Sequence, residues 1–246
     1  MATLSPPVTV QVPQTGKDGN SSRPPVYGGG GGRGDGFPDY VTRLRRARLG
    51  LAVAIAPIVM LFVSFTSAYI VRQGLPTLDQ KTNAYVRDWT PVDLPIALLL
   101  VNTGLLLLSS MAAELARRQI TRQAASGPSS SIPDVALGPG KGLPWLGITF
   151  VLGGGFLTGQ WIAWRVLAER GFYLASSASS SFVYLLTATH AIHLLGGVLV
   201  LLYAATGSLL HLPVERRRIV VDVTAWYWHF MFLLWLYIFA LLWFVR

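Results

Sequence analysis

Three histidines lie in apolar stretches of the sequence, and imidazole readily binds a metal ion or moves a proton near neutral pH. His190 and His193 are three residues apart, so they would share one face of a helix, and "WYWHF" at 226–230 supplies His229 as a third ligand. The pattern predicts either a buried metal or haem site, or neutral imidazoles that hydrogen-bond between helices. The second is favoured because the carboxylates that usually orient metal-bound histidine are missing beside them.

Other polar side chains accompany the histidines in the apolar stretches. Of these we take Asn102, Thr103 and Gln160 as further candidates. Cysteine is absent, which excludes thiolate metal ligands, disulfides and cysteine nucleophiles. Charged residues occur only at the ends of the stretches, as at Glu114, Arg165 and Asp222. Transporters usually need an intramembrane carboxylate or a comparable group, so transport by this chain alone is disfavoured.

The elements that would position these side chains are membrane helices. Apolar residues make up 52% of the chain and charged residues only 13%, a composition typical of membrane proteins. Five runs reach the roughly 20 apolar residues that a helix needs to cross a bilayer. Backbone groups must satisfy one another in hydrocarbon, so such runs are helical. We predict an all-α integral membrane bundle of five transmembrane helices, at about 49–71, 93–113, 143–165, 182–206 and 223–245.

The first 47 residues differ in composition from the rest. They carry six prolines and a run of five glycines at 28–32, with few apolar residues. Such a segment cannot bury enough surface to offset the entropy of ordering. We therefore predict a disordered Pro/Gly-rich tail at 1–47 and a membrane domain at 48–246.

Basic residues near the ends of the spans predict the orientation. Eleven lie beside the N-terminus and in the second and fourth connectors, and six lie on the other side. Because cytoplasmic segments carry the excess of lysine and arginine, the N-terminus is expected inside and the C-terminus outside. The net charge of +9 thus reports orientation, and nucleic acid is not an expected partner.

Small and aromatic residues suggest how the helices pack. Gly155 and Gly159 are four residues apart, with Gly153 and Gly154 alongside, a spacing that lets membrane helices approach closely. The alternatives are a packing seam inside this bundle and a chance spacing, since glycine is common in membrane spans. Trp226 and Trp228 flank the turn of His229 and are typical of an interfacial aromatic belt.

The last span is unusually rich in aromatic residues. Ten lie between Trp226 and Phe244, with Trp235 at the centre. Rings on all faces of one helix suit contact with another protein or with ordered lipid, and plain exposure to lipid is the alternative.

Several stretches together resemble one family. "AWYWHFMFLLWLYIFALLWF" at 225–244 is similar to the final helix of subunit III of the haem-copper terminal oxidases. "SFVYLLTATHAIHLLGGVLVLL" at 181–202 resembles the penultimate helix of that subunit, with its paired histidines and following glycine. "VNTGLLLLSSMAAELARR" at 101–118 and the helix of Gln160 are similar to the two preceding spans. The resemblance extends from about Arg48 to Arg246, and the last two helices are its specific part.

The resemblance implies an accessory subunit III of a respiratory oxidase, most simply cytochrome c oxidase, in a bacterial cytoplasmic membrane. It implies that this chain holds no cofactor and no catalytic centre, while haem and copper belong to partner subunits. The implied partners are the catalytic subunit I, subunit II and phospholipid. The implied roles are to stabilise the catalytic subunit, to support its proton uptake and so to serve proton translocation.

The resemblance also implies roles for particular residues. Gln160, His190, His193 and His229 become structural polar groups. Asp222 becomes a residue at the start of the last helix, where the helix dipole favours an acid.

The chain also departs from the family pattern. Larger members have seven helices, and this chain corresponds to the last five, so a lipid cleft formed by the first two does not carry over. "LAVAIAPIVMLF" at 51–62 lacks a membrane glutamate that is common in that helix, and Phe232 replaces the acid that commonly follows the final-helix histidine. The alternatives are the equivalent subunit of a quinol oxidase or nitric oxide reductase, and an independent membrane transporter.

Overall fold

Five long helices dominate the protein. The computed structural model describes residues 40–79, 83–86, 89–125, 143–209 and 214–244. The helices are α1 Tyr40–Gly74, α2 Ile96–Ala125, α3 Leu143–Glu169, α4 Ala178–Leu209 and α5 Val214–Phe244. Each contains an apolar window long enough to cross a membrane. The predicted all-α membrane bundle of five helices is therefore confirmed.

The helices cover the predicted spans and extend beyond them. The exceptions are residues 93–95, which precede α2, and residue 245, which is outside the described residues. Helix α1 begins at Tyr40, so residues 40–47, predicted as part of the tail, are helical; residues 1–39 lie outside the described part. At about 1.5 Å per residue, helices of 27 to 35 residues are longer than a hydrocarbon core of about 30 Å. Their polar ends can continue past the hydrocarbon.

Helices α2 to α5 form the core of the bundle, and α1 lies against its side. Helix α2 contacts α3 and α5, and α4 contacts α3 and α5. Among the helices that the structure describes, α1 packs against α4 and α5. Only 11% of the apolar window of α1 is buried, against 39% in each of the other four helices. Its buried residues, Phe62, Thr66 and Tyr69, follow the spacing of one narrow helical stripe.

One end of the bundle, here called the hairpin end, is closed by short connections. Strands β1 Thr77–Asp79 and β2 Ala84–Val86 pair antiparallel after α1. Helix α3 ends there with Gly171 at φ 87°, and the N–H groups of Gly171 and Phe172 donate to the carbonyls of Ala168 and Leu167. This pattern is a Schellman motif, which requires the left-handed conformation that glycine adopts without strain. The opposite end, called the arginine end, contains Arg48 and Arg117.

Candidate functional site

Trp228 is wedged between α3 and α4. Its side chain is fully buried. A Cβ atom added to Gly153 would lie 2.7 Å from the indole, and one added to Gly197 would lie 3.1 Å from it. The indole Nε1 donates to Ser109 Oγ at 3.0 Å, and Ser109 donates to the carbonyl of Thr149 at 2.9 Å. One side chain of α5 thus joins α2, α3 and α4.

Trp235, seven residues further along α5, repeats this arrangement one layer away. Its Nε1 donates to Thr103 Oγ1 at 2.9 Å, and Thr103 donates to the carbonyl of Leu99 on its own helix at 2.8 Å. A residue seven positions along a helix returns to nearly the same face, so Trp228 and Trp235 both point into the bundle.

Two further hydroxyl groups link helices in the same way. Trp164 Nε1 donates to Thr187 Oγ1 at 3.0 Å, which joins α3 to α4, and Tyr237 Oη donates to Thr66 Oγ1 at 2.9 Å, which joins α5 to α1. Each threonine then donates to a carbonyl of its own helix. Interhelical hydrogen bonds of this kind stabilise membrane bundles, where lipid provides no hydrophobic contrast.

A buried polar layer crosses the bundle near Trp235. It consists of Asn102, Gln160 and His190, whose exposed fractions are 1%, 2% and 0%. The ring of His190 packs against Trp235 and Phe156, with centroids 5.3 and 5.8 Å away. Asn102 Nδ2, Gln160 Oε1 and both ring nitrogens of His190 have no hydrogen-bond partner among the described residues.

The glycines of α3 contribute unequally to packing. The side chain of Asn102 overlaps the position that a Cβ atom on Gly159 would take, so a larger residue there would force Asn102 to move. A Cβ on Gly155 would meet Leu105 at an ordinary 3.8 Å. The close approaches on α3 are therefore at Gly159 and Gly153, and of the spaced pair Gly155 and Gly159 only Gly159 meets a neighbouring helix closely.

The three histidines have separate surroundings. His193 is half-buried, its Nδ1 lies 2.7 Å from the carbonyl of Thr189, and its ring packs on Phe62 of α1. His190 faces α3 and α5 instead, and His229 lies in the cluster described next. No three His, Cys, Asp or Glu residues of the described chain are grouped so that they could hold a metal ion.

An ion-pair network joins three helices at the arginine end. Asp222 of α5 accepts two hydrogen bonds from Arg48 of α1, at 2.9 and 3.0 Å, and a longer one of 3.4 Å from Arg117 of α2. Arg117 and Arg118 both donate to Glu114, at 2.7 Å. Asp222 is only 6% exposed, so Arg48 and Arg117 balance a carboxylate that is largely removed from water.

His229 connects this network to the interior. Its Nδ1 lies 2.6 Å from Ser110 Oγ, and its Nε2 lies 3.5 Å from Glu114 Oε2. The predicted span at 223–245 would place His229 about one turn into the last helix. Helix α5 begins at Val214 instead, so His229 lies about four turns into it.

The predicted position of Asp222 at the start of the last helix is also wrong. Asp222 lies eight residues after Val214, about two turns into α5. The helix dipole acts within the first turn, so arginine side chains and not the dipole compensate this acid.

The tryptophans of α5 separate into surface and interior residues. Trp226 is 53% exposed, as an interfacial aromatic residue would be, whereas Trp228 and Trp235 are buried. The belt interpretation therefore applies to Trp226 and not to Trp228. Since α5 contacts α1, α2 and α4, much of its aromatic surface faces this bundle.

Sequence reasoning did not identify the partners of Asp222 and His229. A signal was present, because an acid embedded in an apolar helix needs a cation nearby. Several arginines precede the first span, however, and only the packing of α1 against α5 selects Arg48. Likewise, nothing in the sequence pairs Ser109 or Ser110 with α5.

Comparison with known proteins gives consistent matches. The family model described as Cytochrome c oxidase subunit III matches residues 40–245. A "Probable cytochrome c oxidase subunit 3" of Mycobacterium tuberculosis is 34% identical over 104 residues, which is 42% of this chain and 50% of the relative. The subunit 3 proteins of Corynebacterium diphtheriae and Drosophila yakuba are 31% identical over 106 residues and 24% identical over 196 residues.

The extent of these matches differs between relatives. The bacterial alignments cover half of each relative, so the chain spans about half the length of those curated relatives. The alignment with the Drosophila protein covers 78% of this chain and 66% of the relative.

Proposed function

The chain belongs to the cytochrome c oxidase subunit III family, and from that premise we propose that it is an accessory subunit of a respiratory haem-copper oxidase. Haem and copper are held by partner subunits, and this chain stabilises the catalytic subunit and supports its proton uptake. The bacterial relatives favour a bacterial cytoplasmic membrane.

The observation that carries the proposal is how the polar side chains of the bundle are used. Indole and phenol donors of α3 and α5 end on hydroxyl groups of neighbouring helices, and the arginine-end network ties α1, α2 and α5 together. The three histidines face different neighbours and do not converge. Such an arrangement favours a rigid helical scaffold over a redox centre.

The surface of α1 supports assembly with other subunits. This helix is the least buried of the five, and the outward-facing residues Val53, Met60 and Val63 are 57% to 73% exposed. We assign this face to contact with the catalytic subunit I, subunit II or phospholipid. The arginine end then faces the cytoplasm, in agreement with the distribution of basic residues.

The test is a reduced-minus-oxidised absorbance spectrum of the complex purified in mild detergent through a tag on this chain. We expect a haem signal at a fixed ratio to the tagged chain, and turnover with reduced cytochrome c. Turnover with quinol or nitric oxide alone would assign the chain to another haem-copper enzyme. A colourless preparation without a haem-bearing partner would overturn the proposal.

A further inference from the structure

Arg165 is an exposed arginine near the hairpin end of α3, and no acid of the described chain balances its charge. Its guanidinium forms no ion pair or hydrogen bond with any residue that the structure describes. Glu169, one turn further along the same helix, is outside ion-pair distance of it. By contrast, Arg170 donates to the carboxylate of Asp93 at 2.8 Å. The positive charge of Arg165 is therefore available to a group outside this bundle.

Trp161, one turn before Arg165, holds the guanidinium against the surface of α3. The Cζ atom of Arg165 lies 6.0 Å from the centre of the Trp161 ring, which is the distance of a cation–π contact. Trp161 packs edge-on against Trp164, with ring centroids 6.3 Å apart, and Trp164 is fixed by its bond to Thr187 of α4. Since Trp161 is 57% exposed, the aromatic ring and the cation form one feature on the outside of the bundle.

The depth of Arg165 follows from the bonds between helices. Ser109 of α2 bonds to the Thr149 carbonyl of α3 and to the Trp228 indole of α5, so these three residues lie at one level. At about 1.5 Å per residue, Arg165 lies about 24 Å from that level toward the hairpin end, and Asp222 lies about 9 Å from it toward the arginine end. Arg165 and Asp222 are thus about 33 Å apart along the helix axes.

This separation is close to the thickness of the hydrocarbon core, which is about 30 Å. With the arginine-end network at one boundary of the hydrocarbon, Arg165 reaches the lipid headgroups at the other boundary. Tryptophan is enriched at the same level in membrane proteins, which agrees with the exposed ring of Trp161.

The surface of α3 between Arg165 and the membrane centre is suited to an acyl chain. Ile162 and Val151 are 46% and 69% exposed. At about 100° of rotation per residue, both lie within about 60° of Arg165 around the helix axis. A lipid whose phosphate contacts Arg165 can therefore pack its hydrocarbon along the same side of α3.

We propose that Arg165 and Trp161 form a binding site for the headgroup of an anionic phospholipid in the leaflet at the hairpin end. The guanidinium donates paired hydrogen bonds to two phosphate oxygens, and Trp161 holds it in position. A zwitterionic lipid carries its own cation beside the phosphate, whereas an anionic lipid has a net charge that Arg165 balances. The site goes beyond the proposed function, which concerns the face of α1, because it lies on α3.

The test is photo-crosslinking of the intact complex in nanodiscs that contain equal amounts of phosphatidylglycerol and phosphatidylcholine. A photoreactive benzoylphenylalanine replaces Ile162, and the lipids attached to this chain are counted by mass spectrometry. We expect about fivefold more attachment of phosphatidylglycerol, the factor that corresponds to the roughly 1 kcal/mol contributed by one arginine beside anionic lipid. Equal attachment of the two lipids would overturn the proposal.

Two arginine variants show whether the preference belongs to this site. Arg165→Gln removes the charge, so the two lipids should be attached equally. Arg170→Gln removes an arginine from the same end of the bundle, but one that is paired with Asp93, so most of the preference should remain. Equal losses in the two variants would indicate a diffuse attraction of anionic lipid to this end and would contradict the site.

The same crosslinks distinguish lipid from protein at this surface. Attachment of position 162 to another subunit in place of lipid would overturn the proposal. A map of the unaltered complex in the same nanodiscs should show a phosphate within hydrogen-bonding distance of the Arg165 guanidinium, and a carboxylate of another subunit in that place would refute the lipid site. Neither readout uses the haem spectrum, so this proposal and the proposed function fail independently.

Discussion

Replacing Gly153 by alanine tests whether the wedge of Trp228 holds the bundle together. The added methyl carbon would lie 2.7 Å from Trp228 Cζ2, whereas carbon atoms in good contact are about 3.5–4.0 Å apart. The indole cannot withdraw easily, because Gly197 of α4 also lies close to its ring and its Nε1 is bonded to Ser109.

The size of the effect follows from comparison with the adjacent glycine. A methyl group on Gly154 would have no neighbour within 4 Å, so Gly154→Ala is a matched control. Both substitutions should stabilise α3 by about 1 kcal/mol, because alanine has a higher helix propensity than glycine. Only Gly153→Ala also overpacks the interior, which lowers the free energy of unfolding by about 1–3 kcal/mol. The free energies of unfolding of the two variants should therefore differ by about 1–3 kcal/mol.

The assay is thermal unfolding of the detergent-solubilised complex, with this chain followed through its tag. For a chain of this size a loss of 1 kcal/mol lowers Tm by about 2–4 °C, so Gly153→Ala should melt roughly 2–12 °C below Gly154→Ala. Gly197→Ala and Gly196→Ala form a second matched pair, because a Cβ at 197 meets Tyr227 at 2.8 Å and one at 196 meets nothing within 4 Å.

A double variant separates steric overlap from a general effect on α3. Trp228→Phe removes the ring atoms that the new methyl would strike, so Gly153→Ala should cost less in that background than in the original protein. If Gly153→Ala were as stable as Gly154→Ala, or if its cost were the same beside Phe at 228, the wedge argument would be refuted.

Further predictions concern the ion pairs, the interhelical hydrogen bonds and the histidines. Asp222→Asn should lower the free energy of unfolding by about 1.5–3 kcal/mol, because it weakens a charged network in a site that is 6% exposed. As a control in the same melting assay, Asp93→Asn removes an exposed ion pair and should change the free energy of unfolding by less than about 1 kcal/mol. Thr103→Val removes the acceptor of an indole of α5 and should cost about 0.6–1.7 kcal/mol, whereas the exposed Thr158→Val should cost less; equal losses would contradict the assigned bond. His190→Gln should leave the haem and copper content of the assembled complex unchanged, as measured by metal analysis and difference spectroscopy, and a stoichiometric loss would contradict a structural role.

The arginine-end network has particular importance for α1. This helix buries little of its surface, so a few specific contacts hold it to the core. They include the Arg48–Asp222 ion pair at one end and the bond from Tyr237 to Thr66 further along. Phe62 also packs on His193, and Tyr69 packs on the aromatic rings of the hairpin end. Loss of the ion pair should therefore loosen α1 before it loosens α2 to α5, which tryptic cleavage after the arginines near Arg48 would detect.

The sequence by itself determined the number of helices, their approximate limits and the family. An apolar run of about 20 residues is long enough to cross the hydrocarbon, and there every backbone group must be hydrogen-bonded. Such a run must therefore be an α-helix, so composition alone indicates the spans. The motifs of the last two helices were sufficient to indicate the family, which the match over residues 40–245 shows. Helix ends were less predictable, because past the hydrocarbon a helix can continue wherever its polar side chains reach water, as α5 does back to Val214.

Only the tertiary structure decided which side chain meets which. His190 and His193 are three residues apart on α4, yet His190 packs on Trp235 and His193 packs on Phe62. The reason is that α5 lies next to one of these positions and α1 lies next to the other. Trp226 and Trp228 are two residues apart, and about 200° of helical rotation turns one to the surface and the other against Gly153. Periodicity defines the faces of a helix, but the neighbour on each face is set by how five helices fill space together.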